Sequence, residues 1–239
     1  MSSYPHEPMV SIRISLRWPP EPADETTNTL VISGRSGFFL DLRFFIKGPN
    51  VGEIDWSIAG KKDWVIEDGV FPPEKAIFKP YLDSRIFESK NPGVPGDDVG
   101  SFSYLPNGDA LETGRMPNPD MKNKLMDYEE VWRRYTIRSE EHVLMLQRVS
   151  AAEEEEEQIW TGRIGKWQLG VGTFNDAFIA LRQEYGEGKA EAVYVNGPVS
   201  TKVFVTLSDE IMDKAKREKW QTGQTVQTTH GSWKVIENS

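Results

Sequence analysis

Apolar and polar residues alternate from the start of the chain. Val10, Ile12, Ile14 and Leu16 share one face, and Ser11, Arg13, Ser15 and Arg17 share the other. A period of two is the mark of a strand, and Pro19-Pro20 ends this one. Thr29 to Ser33 predicts a second strand, followed by a turn over 34–37. In the next run Phe38, Leu40, Leu42, Phe44 and Ile46 oppose Asp41, Arg43 and Lys47. Gly48-Pro49 then breaks the chain. From Glu53 to Ala59 the pattern predicts a strand that buries Ile54, Trp56 and Ile58 and exposes Glu53, Asp55 and Ser57. Gly60-Lys61-Lys62-Asp63 reads as the turn of a hairpin leading into Trp64–Glu67.

Glycine and proline are dense over 68–119, with short strands expected at Lys75–Tyr81, Ser101–Leu105 and Ala110–Thr113. Met121–Met126 suggests one helical turn, and Tyr128–Arg138 a strand. A polar break at Ser139-Glu140-Glu141 divides the chain into two strand-rich sets. Beyond it, Val143–Val149 and Ile159–Ile164 predict a hairpin, followed by strands at Lys166–Val171, Asp176–Tyr185, Glu191–Val195 and Lys202–Thr206. One helix stands out. Ser208 can cap it, Asp209 and Glu210 fall in its first turn, and Lys214, Lys216, Arg217 and Lys219 crowd its end, as the helix dipole favours. Leu207, Ile211 and Ala215 lie four apart, a stripe suited to covering one end of a barrel. Thr225–Thr228 and Trp233–Ile236 close the chain as strands.

Strands follow strands without intervening helices, which argues against an α/β arrangement. Closure into barrels removes the exposed edges that so many antiparallel strands create. The expected fold is therefore mostly β. Residues 1–139 form an N-terminal antiparallel β-barrel domain, and residues 140–239 a C-terminal one that carries the single short helix.

Composition narrows the function classes. The 239 residues carry a net charge of −9, with no basic stripe of the kind that nucleic acid or an acidic membrane surface requires. Cysteine is absent, so thiol chemistry and disulfides are excluded. The N-terminus lacks the basic and apolar signature of a signal peptide, and no run is long and apolar enough for a membrane-spanning helix. A cytoplasmic address is expected, with the nucleus as a second. The oligomeric state stays open.

No catalytic signature emerges. The three His, at 6, 142 and 230, have no metal-ligand spacing, and Gly170-Val171-Gly172 lacks the third glycine of a dinucleotide loop. No metal or cofactor is expected. Glu112, beside Gly114 in an expected turn, and Glu129, Glu130, Arg133 and Arg134 around Trp132 could serve acid–base chemistry inside a barrel. Ion pairs on a sheet are the plainer reading. Glu112, Trp132 and Arg134 are the candidate lining of a pocket for a small apolar ligand, because small barrels can hold one. Trp18, Trp56, Trp64, Trp160, Trp167 and Trp233 fall in strand patterns, as core residues do. Five consecutive glutamates, Glu153, Glu154, Glu155, Glu156 and Glu157, read as a solvated hairpin loop that could steer a basic partner.

Several motifs resemble the fungal Hri family, whose members are named as interactors of a casein kinase I homologue. They begin with Phe39-Leu40-Asp41-Leu42-Arg43-Phe44-Phe45-Ile46-Lys47 and Ile54-Asp55-Trp56-Ser57-Ile58-Ala59-Gly60. Leu111-Glu112-Thr113-Gly114, Tyr128-Glu129-Glu130-Val131-Trp132 and Gly165-Lys166-Trp167-Gln168-Leu169-Gly170 follow in order. The ending, from Gly223-Gln224-Thr225-Val226 to Gly231-Ser232-Trp233-Lys234-Val235-Ile236-Glu237, fits as well. The resemblance implies two lipocalin-like β domains, a cytoplasmic or nuclear address and association with a casein kinase I, and it brings no catalytic residues. Two functions are therefore expected in competition. One is a non-enzymatic interaction protein that docks a kinase through Glu153–Glu157. The other is a small-molecule binder or cofactor-independent isomerase that uses a barrel cavity. A cavity lined by mixed aromatic and charged groups would favour the second.

Overall fold

The alternating runs become the walls of a closed barrel. In the computed structural model, which describes residues 7–66, 74–89, 96–138, 140–149, 158–186, 189–197 and 203–239, eight antiparallel strands pair in chain order. They are β1 (Met9–Arg17), β2 (Thr27–Ser33), β3 (Phe38–Phe45), β4 (Ile54–Val65), β5 (Lys75–Asp83), β6 (Asp98–Tyr104), β7 (Ala110–Asn118) and β8 (Lys124–Arg134). Pairing of β8 with β1, from Ser11 opposite Arg134 to Arg17 opposite Glu129, closes the ring. A four-residue helix, α1 (Ser84–Phe87), follows β5, its N–H groups at Arg85 and Ile86 capped by the Asp83 carboxylate.

Two local readings change. The hairpin expected at Gly60–Asp63 is continuous strand, because β4 runs unbroken through it. Gly60 is there for a close approach and not for a turn: a Cβ at this position would lie 2.5 Å from the Lys79 carbonyl oxygen of β5. The register of β4 against β5 also shifts between Ala59 and Gly60. Of the helical turn expected over Met121–Met126, only Met121 is helical. It ends a 3-10 turn at Pro119–Met121 that the Asn118 side chain caps; Lys122 and Asn123 then turn the chain with positive φ, and β8 begins at Lys124.

The second strand set is a seven-stranded antiparallel sheet of β9 (Val143–Arg148), β10 (Ile159–Ile164), β11 (Trp167–Phe174), β12 (Ala177–Gly186), β13 (Lys189–Asn196), β14 (Thr225–Thr228) and β15 (Gly231–Asn238). Its order is β13-β12-β11-β10-β9-β15-β14. Where the sequence suggests a second barrel, β13 and β14 stand at the two edges of this sheet. A capping layer covers one of its faces. Of the strand expected at Lys202–Thr206, the described residues 203–206 carry no strand pairing. The Gln168 side chain replaces the missing ladder by donating to the Val205 carbonyl at 2.7 Å and accepting from the Leu207 N–H at 2.9 Å. Phe204 lies on Gly170, where a Cβ would be 2.6 Å from its ring. The helix α2 (Asp209–Arg217) follows with the expected Ser208 cap and charge order. Met212 and Ala215 are buried against Leu144, Leu146, Ile179 and Trp233.

The opposite face of the sheet meets the barrel. Val143, Met145, Trp160, Leu169 and Val171 share one apolar core with Val10, Leu30, Ile32, Leu40, Leu42 and Phe44. The apolar faces of β1–β3 therefore point out of the barrel and into the second sheet, and their polar faces point into the lumen. Ser11, Arg13, Asp41 and Arg43 are all buried. On β4, Ser57 is buried rather than exposed, and its hydroxyl donates to the Asp41 carbonyl at 3.1 Å. Glu237 ties the two layers together by accepting from the Arg35 and Ser36 N–H groups at 2.8 and 2.9 Å. Among the described residues no helix is long and apolar enough to cross a membrane.

Candidate functional site

Filling the lumen with polar side chains leaves it hollow at one level and cross-braced at another. The brace centres on Glu130 of β8. Its Oε1 accepts from Arg13 Nη1 at 2.5 Å and from Arg43 Nη1 at 3.1 Å. Arg13 also donates to Glu25 and Thr27, and Arg43 forms an ion pair with Asp41 at 2.7 Å. Burial works to raise the Glu130 carboxyl, but the two guanidiniums outweigh it and hold the group below its ordinary range. Such a network keeps buried charge tolerable only because every member is paired.

Next to the brace the walls part around a cavity of about 630 Å³, a size suited to a small organic ligand. Its aromatic wall includes Trp56, Trp64, Trp132, Phe78 and Phe102, and its polar wall includes Glu112, Tyr128, Lys62 and Arg134. Glu112 stands mid-strand in β7, directly opposite Glu130, and not beside a turn. Its Oε1 accepts from the Tyr128 hydroxyl at 3.0 Å. Burial, and then the Glu130 charge, push its carboxyl up to about 8, so at neutral pH it is a protonated acid. Tyr128 is raised further still by burial and the neighbouring carboxylates.

Lys62 faces the same space. Its position in β4 places it 5 % exposed, with its ammonium 4.9 Å from the centre of the Trp64 ring. Burial, and then the Arg134 charge, lower it to about 7, with Glu112 offsetting only part of the shift. Among the described residues Lys62 and Arg134 make neither ion pairs nor side-chain hydrogen bonds.

All three pocket candidates from the sequence, Glu112, Trp132 and Arg134, line this cavity. Glu112 and Trp132 are buried, while Arg134 is exposed at the end of β8. Glu129 and Arg133 point away from the lumen and pair with Arg17 and Asp109. The acidic run Glu153–Glu157 lies outside the described residues. Sequence reasoning missed Lys62, because Gly60 made its segment look like a turn. It also missed Asp41 and Arg43, because they occupy the polar side of an alternating strand. Pairing of Trp56 with Arg43 across β4 and β3 is the kind of aromatic–cation register that could have revealed the site. Among the described residues no group of three or more His, Asp or Glu is placed to hold a metal ion.

Comparison with known proteins sets this architecture in a family. The sequence model described as "Protein HRI1" matches residues 9–237. The chain belongs to the HRI1 family. Its fold is similar to the crystal structure of the uncharacterized protein YLR301w from Saccharomyces cerevisiae, with a TM-score of 0.75 over 98% of this chain and 100% of that one. At 19% identity the likeness shows the fold alone. Comparison with curated proteins returns no match. In this HRI1-family chain, the motif around Leu40–Lys47 is the wall that separates the hollow lumen from the second sheet, since Leu42 and Phe44 face one side and Asp41 and Arg43 the other.

Proposed function

We propose that this HRI1-family protein binds a small organic ligand inside its eight-stranded barrel. One observation carries the reading: a cavity of about 630 Å³ walled by both tryptophans and charged groups. A lumen meant only to stabilise the fold would be filled, because protein interiors reach crystal-like packing density. Here the charged brace occupies one level, and the aromatic walls above it face space. The test is a titration with N-phenyl-1-naphthylamine, a neutral apolar dye, read by dye emission and tryptophan quenching. One-to-one saturable binding is expected. Ala110→Phe, which places a ring in the lumen opposite Trp132, should weaken it about ten-fold, or 1.4 kcal/mol. Absence of saturable binding, or binding indifferent to Ala110→Phe in a folded variant, would remove the reading.

A second reading, proton transfer within a bound ligand, is favoured by the pairing of Glu112 with Glu130. Two neighbouring carboxyls held at opposite ends of the titration range are the usual division between acid and base. Glu112→Gln should then abolish deuterium exchange into a bound carbonyl compound while leaving its binding intact.

A further inference from the structure

Two basic side chains of the ligand cavity, Lys62 and Arg134, have no paired anion among the described residues. Lys62 is nine-tenths buried with its ammonium 4.9 Å from the centre of the Trp64 ring, and among the described residues it makes no hydrogen bond or ion pair. Arg134 is near enough to act on Lys62 electrostatically, and its guanidinium stands 6.0 Å from the Tyr104 ring centre with no carboxylate attached. The other arginines on the described lumen wall are matched: Arg13 by Glu25 and Glu130, Arg43 by Asp41 and Glu130, Arg85 by Asp55, and Arg115 by Asp127. A buried ammonium without a partner is among the costlier arrangements a fold can keep. Glu112, the acid that also acts on Lys62, is held protonated by burial and by Glu130, so it does not neutralise the pair.

We propose that Lys62 and Arg134 form the anion subsite of the barrel, and that its ligand is an amphipathic organic anion with an aromatic or aliphatic body. The body lies against Trp64, Phe78 and Trp132, and the carboxylate or similar head lies between the two cations. A compact ammonium and a broad guanidinium suit such a head group, the first as a point charge and the second as a planar fork. This inference rests on the cavity reading above and adds the charge of the ligand to it.

The experiment uses a matched pair of dyes, 8-anilino-1-naphthalenesulfonate and N-phenyl-1-naphthylamine, which share one ring system and differ by the sulfonate. Both are titrated against the full chain and against Lys62→Met, Lys62→Arg and Arg134→Gln. The sulfonate should lose about ten-fold in affinity with Lys62→Met, or 1.4 kcal/mol, and somewhat less with Arg134→Gln. Lys62→Arg should retain most of the affinity, and the neutral amine should bind all four chains alike. Arg134 is exposed, so its variant tests the subsite even if a Lys62 variant folds poorly. Equal loss of both dyes, or a sulfonate affinity untouched by Arg134→Gln and Lys62→Met, would overturn the anion subsite and leave the cavity reading standing. Failure of both dyes to bind the unaltered chain would overturn the two together.

Discussion

The two β layers of this protein use the same alternating code to opposite ends. In the barrel, β1–β3 turn their apolar faces outward, and the lumen holds Arg13, Asp41, Arg43, Glu112 and Glu130 beside empty space. In the second sheet both faces carry apolar clusters. Val143 and Met145 face the barrel, while Leu144 and Leu146 face α2 and Phe204. The sheet is a packed slab that holds a hollow vessel. Stability and binding are thereby separated: apolar burial outside the barrel supports the fold, which frees the lumen for charge that no well-filled core would accept.

The largest effect expected from this division is a contrast between two tryptophans. Trp233 is fully buried in the second layer, and Trp233→Ala should cost about 4 kcal/mol, as truncation of a packed aromatic does. Trp132 stands on the cavity wall, where one side of its ring already lacks partner atoms, and Trp132→Ala should cost about half as much. Equilibrium urea unfolding measures both. Equal losses would mean that the lumen is packed like the slab.

Next in size is the brace. Glu130→Gln leaves Arg13 and Arg43 buried with one charge too few, and about 3 kcal/mol should be lost. Comparison with Arg17→Gln, which breaks the half-exposed pair to Glu129 and an exposed hydrogen bond to the Glu21 carbonyl, should show a change below about 1 kcal/mol. A brace variant as mild as the surface variant would place water, rather than ion pairing, at the centre of the barrel.

A third contrast is a pH profile specific to the lumen. Glu112 titrates near 8 in the fold against an ordinary value of 4.5. The folded chain therefore keeps a proton that the unfolded chain releases, and stability falls as pH rises between those values. Lys62 titrates near 7 against 10.5. Here the unfolded chain holds the extra proton, and stability rises as pH goes from 7 to 10.5. The contributions oppose each other between 7 and 8 and together place a minimum there, with limbs of up to about 1.4 kcal/mol per pH unit. Glu112→Gln should flatten the acid limb and Lys62→Met the alkaline one in unfolding measured across that range. Identical profiles for all three chains would show that neither group is buried as described.

Much of this was legible in the chain. The period of two located β1, β3 and the β9–β10 hairpin within a residue or two, and Ser208 with its charge order located α2. Glu112, Trp132 and Arg134 were marked by the company of aromatic and ionisable residues in strand patterns, and they do share one cavity wall. Lys62 was hidden because a glycine that permits close strand approach has the same letters around it as a glycine that permits a turn. The span Lys202–Thr206 has the composition of a strand, yet its described part joins no ladder and is met instead by the Gln168 side chain at the Val205 carbonyl.

By itself, then, the sequence determined where most of the strands and the helix α2 run, which residues share a face, and which familiar catalytic motifs the chain lacks. Those properties depend on neighbours along the chain, through backbone sterics and side-chain period. Only the tertiary structure decided which face is inside. Alternation marks two faces without naming the core, and burial depends on what packs against each from elsewhere in the chain. Once the second sheet covered Val10, Leu30 and Leu42, the side carrying Arg13 and Arg43 became the interior of the barrel. Lys62 and Arg134 then came to line one cavity that no local pattern could describe.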